Sequence, residues 1–233
     1  MLTPLERTIQ LARIGLPLSG ETQLILLGVI LFGCIVGWYF SRQQVVKRKL
    51  RKMPHKPVGE YQEGECGRIM GQVRVSGHSF NAPLSGRKCA YYYVLVQELH
   101  ISRRSWRWDT IIEEEKGGDV LIQDGNHYAL ILTKTIRSWI DQDVKYRSGT
   151  FKNATPNLKS YLEKHQQSSE GCLGLNRDLR YKEGAVEENE ILTVSGKVTW
   201  RKASELGYNL PGDKILVVGP ETHEPVYMTD AVV

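Results

Sequence analysis

The run TQLILLGVILFGCIVGWYFS, residues 22–41, contains no charged side chain. As a helix rising 1.5 Å per residue it reaches about 30 Å, the thickness of a bilayer core. This predicts a transmembrane helix over 22–41. Beyond residue 60 the pattern changes to short apolar runs alternating with polar turns. GRIMGQVRV, CAYYYVLVQEL, SWRWDTII, EILTVSGKVTW, DKILVVGP and PVYMT read as strands. DVLIQDGNHYALILTKT reads as a hairpin about Asp124-Gly125-Asn126. Trp106, Trp108, Thr110 and Ile112 fall on one side at period two, predicting an inward aromatic face with arginines in solvent.

One segment has helical spacing. In ATPNLKSYLEKHQQSS, Thr155 suits the N-cap and Pro156 the first turn, while Leu158, Tyr161, Leu162 and His165 share a face. The helix is expected to run toward Gly171. Residues 174–190 read as polar loop with a short strand near Leu179. The fold class expected is mainly β: an antiparallel barrel-like or sandwich domain with one inserted helix, preceded by one transmembrane helix. Alternation alone does not choose between barrel and sandwich.

Charge divides the chain. Residues 1–60 hold nine Lys/Arg and three Asp/Glu; residues 61–233 hold 22 and 23. A near-neutral domain argues against nucleic-acid binding. The positive excess is concentrated at Arg42, Lys47, Arg48, Lys49, Arg51 and Lys52, immediately after Trp38 and Tyr39. Aromatic residues at one end of a span followed by a basic cluster predict an integral membrane protein with its N-terminus outside and its domain in the cytosol. The basic cluster would meet anionic lipid headgroups. Residues 42–60, with Pro54 and Pro57, read as a basic juxtamembrane linker that separates span from domain, and the domain as 61–233. Residues 1–21 read as a tail or a short amphipathic helix carrying Leu2, Leu5, Ile9, Ala12 and Leu16.

Catalytic and metal motifs are sparse. There is no G-x-S-x-G, no H-E-x-x-H and no C-x-x-C. SGKVT lacks the first phosphate-loop glycine, since Ile191 stands there. The six histidines share no ligand spacing, so neither metal nor cofactor is expected. Asp124 beside His127 reads as a turn, and Glu113–Glu115 as a solvated run. Cys89 fits two readings: a small buried residue, or a thiol made reactive by Arg87 and Lys88.

The stretch APLSGRKCAYYYVLVQE carries a resemblance. It follows a G-x-V-x-G strand (Gly71, Val73, Val75, Gly77). It contains Pro83, Leu84, Ser85, Gly86, Cys89, Tyr91 and Tyr92, and closes on Glu98. Trp106 and the hairpin Leu121–Asn126 follow. Tyr181, Glu183, Gly196 and EPVYMTD come later in the same order. Over residues 61–230 this resembles the GIDE, or beside-a-membrane, domain of membrane-embedded ubiquitin ligases. Neither the second span nor the zinc-ligand spacing of the ligases' RING occurs in these residues, so the resemblance is to the RING-less, single-span form. It implies a membrane-anchored interaction module of a bacterial-type cytoplasmic (inner) membrane, without ligase activity, meeting lipids and a protein partner. The candidate surface is Pro83–Gly86, Cys89, Tyr91, Tyr92, Glu98, Trp106 and Glu183. Two alternatives stand beside it: a membrane-tethered small-ligand sensor, and an E3-like enzyme relative whose catalytic RING is missing.

Overall fold

The computed structural model describes residues 20–75, 79–102, 105–133, 136–149, 152–171, 175–221 and 224–231. The tail 1–19 and Gly77 lie outside them. The chain divides into two units, 1–45 and 46–233. The first contains helix α1, Gly20–Tyr39. From Thr22 to Tyr39 it is apolar on every side, and none of that stretch is buried. By length and composition it can cross a membrane.

The second unit begins earlier than the prolines suggest. Arg42–Lys52 forms helix α2, and Val46 and Leu50 on it have no exposed surface. They pack with Tyr227, and Trp139 lies against the same cluster. The Lys47 ammonium stands 5.2 Å from the Trp139 ring centre and that of Lys49 5.8 Å from Tyr227, while Lys49 also pairs with Glu224. This corrects the reading of 42–60 as a separating linker. Pro54 and Pro57 end the helix without disfavouring the turns before them, and Val46 and Leu50, four apart, make one apolar stripe. Residues 46–233 hold 28 Lys/Arg and 24 Asp/Glu, so the folded unit is mildly basic rather than neutral.

The unit is mainly β. In chain order the strands are β1 Cys66–Arg74, β2 Phe80–Asn81, β3 Lys88–Cys89, β4 Tyr91–Ile101 and β5 Trp106–Gly117. Then come β6 Val120–Asp124, β7 His127–Ile131, β8 Ile136–Trp139 and β9 Val144–Ser148. After helix α3, Pro156–Lys164, follow β10 Leu179–Val186, β11 Ile191–Lys202, β12 Lys214–Gly219 and β13 Val226–Thr229.

Five strands close a barrel in the order β1-β6-β7-β12-β11, with β11 pairing back onto β1. β12 runs parallel to β7 and β13 parallel to β8, which corrects the expectation of an antiparallel barrel. Counted within the barrel, the third and fifth strands are the parallel pair, a five-stranded Greek-key closure of the OB type. Ile69, Val73, Ile122, Ile131, Val194 and Leu216 are among the residues of its core. Two motif glycines sit where strands crowd. A Cβ on Gly71 would stand 2.4 Å from the Gln123 carbonyl oxygen, and one on Gly196 2.5 Å from that of Gly219.

Residues 75–119 and 132–190 interrupt this barrel, and together they build a second sheet, β5-β4-β10-β9. The barrel-or-sandwich question therefore resolves into a barrel with a separate antiparallel sheet. α3 covers one face of that sheet through Leu158, Tyr161 and Leu162, meeting Tyr92, Val94, Val96 and Tyr181. Thr155 caps it as the sequence predicts, its Oγ1 accepting from the Leu158 N–H at 3.4 Å. It stops at Lys164, short of Gly171. β10 is longer than expected and lies at the sheet's centre, where Leu179, Tyr181 and Glu183 are buried and Arg180 and Lys182 alternate with them.

Candidate functional site

The motif residues come together around one carboxylate. Glu183 on β10 has no exposed surface, and its oxygens accept from the backbone N–H groups of Leu84 at 2.7 Å and Ser85 at 3.2 Å. Gly86 takes φ +77°, a conformation that favours glycine, and the Gly86 N–H closes the turn onto the Ala82 carbonyl at 2.8 Å. Arg87 leaves the turn to pair with Asp143 at 2.8 Å and Glu187 at 2.6 Å. The Pro-Leu-Ser-Gly turn is thus clamped to a strand about a hundred residues away. Buried N–H groups need such acceptors, and a carboxylate supplies strong ones.

This changes what the predicted surface is. Leu84, Cys89, Tyr91, Tyr92 and Glu183 are buried. Pro83 and Ser85 are half-buried, and Gly86 is exposed. Tyr91 donates to Ser138 Oγ at 3.0 Å. Glu98 pairs with the Arg177 guanidinium, which holds its carboxyl below the ordinary range. Most of these residues form scaffold rather than surface. Cys89 has no exposed surface, and its Sγ lies 3.6 Å from the Phe80 carbonyl. Burial, reinforced by Glu183, pushes its thiol up to about 11. The arginine beside it pulls the other way but is outweighed. The reactive-thiol reading is therefore disfavoured, because a nucleophilic cysteine needs a lowered value and access. In native protein at pH 8, iodoacetamide is expected to leave Cys89 unmodified and to alkylate it after denaturation, as read by peptide mass mapping. Rapid native alkylation would restore the reactive reading.

A second cluster escaped the sequence reading. Glu114, assigned there to a solvated run, accepts from the hydroxyls of Tyr92 at 2.9 Å and Tyr161 at 2.8 Å. His165 Nε2 stands 3.1 Å away, and Lys164 3.7 Å. Strand alternation was the available signal: it sends the middle glutamate of three to the face opposite its neighbours. Tyr93 instead donates to Glu113, at 3.0 Å. Burial pushes the Glu114 carboxyl up, but hydrogen bonds from Tyr161 and Tyr92, the Lys164 charge and His165 outweigh it and hold it below the ordinary range. A depressed carboxyl stabilises the fold above its unfolded value near 4.5, and that contribution is lost as pH falls through the folded value. Glu114→Gln is expected to cost about 2 kcal/mol at pH 7, since charge-assisted bonds are weakened. It should also flatten the acid limb of the melting-temperature profile. An unchanged acid limb would remove Glu114 from this role.

The tryptophans point outward. A register shift between Val96 and Gln97 leaves Ile111 unpaired and sets Ile112 opposite Val96. Ile112 is thereby buried, while Trp106 stays 76 % exposed. The bulge breaks the period-two face assumed from the sequence, which corrects the inward aromatic reading. Trp108 carries two guanidiniums, Arg180 at 4.3 Å and Arg147 at 5.3 Å from its ring centre. Arg180 also donates to Gln97 Oε1 at 2.7 Å. A groove of about 500 Å³ runs here between Ile101, Trp106, Trp108, Arg147 and Lys152. Lys145, Arg147, Arg180 and Lys182 went unnoticed in the sequence because β9 and β10 are joined only by strand register.

At one end of the barrel, a second depression of about 580 Å³ is lined by Gly59, Asn126, His127, Trp200, Pro211, Gly212 and Lys214. Asp124, read as bonding within its own turn, accepts instead from the Val58 N–H at 2.9 Å. Among the described residues no group of three or more His, Cys, Asp or Glu side chains is placed to hold a metal. No protein-family model matches the chain, and no curated protein or solved structure matches it.

Proposed function

We propose that this chain is a membrane-anchored interaction module of the GIDE type, without ubiquitin-ligase activity of its own. One observation carries the reading: only six residues, Phe40–Val45, separate the apolar helix from Val46, the first core residue of the folded unit. At no more than about 3.5 Å per residue they span roughly 20 Å, so a membrane-inserted α1 would keep the β unit beside the bilayer. The clamp of Glu183 on the Pro83–Gly86 turn supports it, because it gives the motif residues a shared scaffolding task. The basic residues after the span support a cytosolic side for the folded unit under the positive-inside rule. Some of them are engaged by the fold, since Lys47 and Lys49 meet Trp139, Tyr227 and Glu224, while Arg51 and Lys52 are exposed and available to headgroups.

The test is cross-linking of the full chain in its own membranes, with cross-linked residues mapped by mass spectrometry. The module reading expects the protein to resist alkaline extraction. It also expects cross-links to one recurrent protein partner from Lys88 beside the turn. Alkaline release, or the absence of any recurrent partner, would overturn it. The barrel-end depression favours a second reading, a tethered small-ligand sensor. That reading expects a saturable rise in melting temperature with its ligand, reduced by Trp200→Ala.

A further inference from the structure

The outer face of the second sheet carries residues in a fixed order from the tip of the β4–β5 hairpin. Ile101 and Trp106 face each other nearest the turn, and Leu99 and Trp108 form the next rung. Thr110, Gln97, Arg180 and Arg147 make the third rung, and Glu113, Leu95, Lys182 and Lys145 the fourth. Directly opposed residues in register share a face, and rungs two residues apart stand about 7 Å from one another. The face therefore passes over roughly 20 Å from exposed apolar, through tryptophan covered by arginine, to two lysines beside Glu113.

None of Lys145, Arg147, Arg180 and Lys182 has an ion-pair partner among the described residues. Each of the pairs 145–182 and 147–180 sets two cations directly opposite one another, which is unfavourable in a free sheet. Arg180 and Lys182 are pushed down by burial and then by these neighbours. On the other face of the same hairpin Glu98 pairs with Arg177 and His100, and Arg107 with Asp109. Against these four cations the same face sets the carboxylates of Glu113, which accepts from the Tyr93 hydroxyl, and Asp178, which lines the groove, so over these rungs the face with the exposed Trp106 and Ile101 stays net basic.

We infer that this face docks on the anionic lipid surface of the membrane that α1 enters, with Ile101 and Trp106 at the acyl boundary, Trp108 and its two arginines among the phosphates, and Lys145 and Lys182 at the aqueous edge. The order of side chains is the order in which a bilayer changes with depth, and tryptophan and arginine belong at the headgroup level. A flat protein partner or a single-stranded nucleic acid requires no such gradient. The inference rests on the membrane-anchor reading of α1.

The test uses the full chain reconstituted in vesicles containing bromine-labelled acyl chains, with and without phosphatidylserine. The contribution of Trp106 is isolated by difference from Trp106→Phe, and that of Trp38 by Trp38→Phe. The inference expects Trp106 to be quenched only when phosphatidylserine is present, and to be released by high salt. Replacing Lys145, Arg147, Arg180 and Lys182 by Gln should lower the docked-to-free ratio on the order of 100-fold, discounted from about fivefold per charge. The Lys145→Gln/Lys182→Gln pair, a milder change at exposed stems, should give about a tenfold loss and guards against misfolding of the quadruple variant. Quenching of Trp38 without quenching of Trp106 would overturn the docking and leave the anchor intact. Loss of Trp38 quenching together with alkaline release would overturn both. A Trp106 response to an acidic peptide or a single-stranded oligonucleotide in uncharged vesicles, with none to phosphatidylserine, would assign the face to that partner and overturn the lipid assignment.

Discussion

Glu183→Gln is expected to destabilise the folded unit by about 3 kcal/mol, a large part of the stability of an ordinary domain. The native carboxylate is itself fully buried and accepts from two backbone N–H groups, those of Leu84 and Ser85. A glutamine can present one oxygen, but its NH2 group must then face the second N–H, leaving a buried donor without an acceptor. Losing a bond to a charged group costs about 1.5–3 kcal/mol, and the unsatisfied donor adds to that. Relief of the buried charge offsets part of the cost. Glu183→Ala should be worse, because both donors are orphaned and a cavity opens among Cys89, Tyr92 and Tyr181. Thermal unfolding of the full chain in detergent, followed by circular dichroism, gives the size of the effect. Amide exchange gives its place: Leu84 and Ser85 should exchange much faster, with the barrel strands unchanged. A melting temperature equal to that of the wild type would show that the carboxylate does not hold the turn.

Leu50→Ala is expected to cost about 3 kcal/mol, within the usual range for emptying a buried leucine site. Leu50 has no exposed surface and shares a cluster with Val46 and Tyr227. The result distinguishes two pictures of residues 42–60. In a free linker the same change would move stability by no more than about 0.5 kcal/mol. In a docked helix it loosens Trp139 and Tyr227 as well, and near-ultraviolet dichroism should register their altered packing. Lys49→Met, which removes the pairing with Glu224 but keeps the stem over Tyr227, should cost less than 1 kcal/mol, because that pair is partly solvated. An indifferent Leu50→Ala would return α2 to the status of a tether.

The strongest local patterns were legible without a structure. The uncharged run 22–41 gives an apolar helix because nothing in it interrupts the period or adds charge. The Asp124-Gly125-Asn126 turn gives a hairpin because glycine accepts the φ of +57° that the turn needs. Thr155 and Pro156 start α3 for reasons contained in four residues. The misreadings have a common cause. By sequence alone α2 reads as a linker, because two apolar residues among six basic ones look unremarkable until Tyr227, far along the chain, covers them. By sequence alone β10 reads mostly as loop, because its inward residues are a leucine, a tyrosine and a glutamate, and the glutamate is stable inside only with two backbone donors from another segment. The aromatic face of β5 was reversed past Thr110 by a bulge that is decided across the strand pair.

The sequence by itself determined the apolar helix, the β-rich class, the capped α3 and the set of residues that resemble the GIDE motif, since each follows from periodicity, turn chemistry or local order of residues. Only the tertiary structure decided that the barrel closes through β1 and β11, that two insertions join as one sheet, and that Glu183 clamps the Pro83–Gly86 turn. It also decided which face carries Lys145, Arg147, Arg180 and Lys182. Those outcomes depend on pairings between residues tens to more than a hundred positions apart, and strand register, buried acceptors and opposing charges acquire their energies only once the chain has brought such residues together.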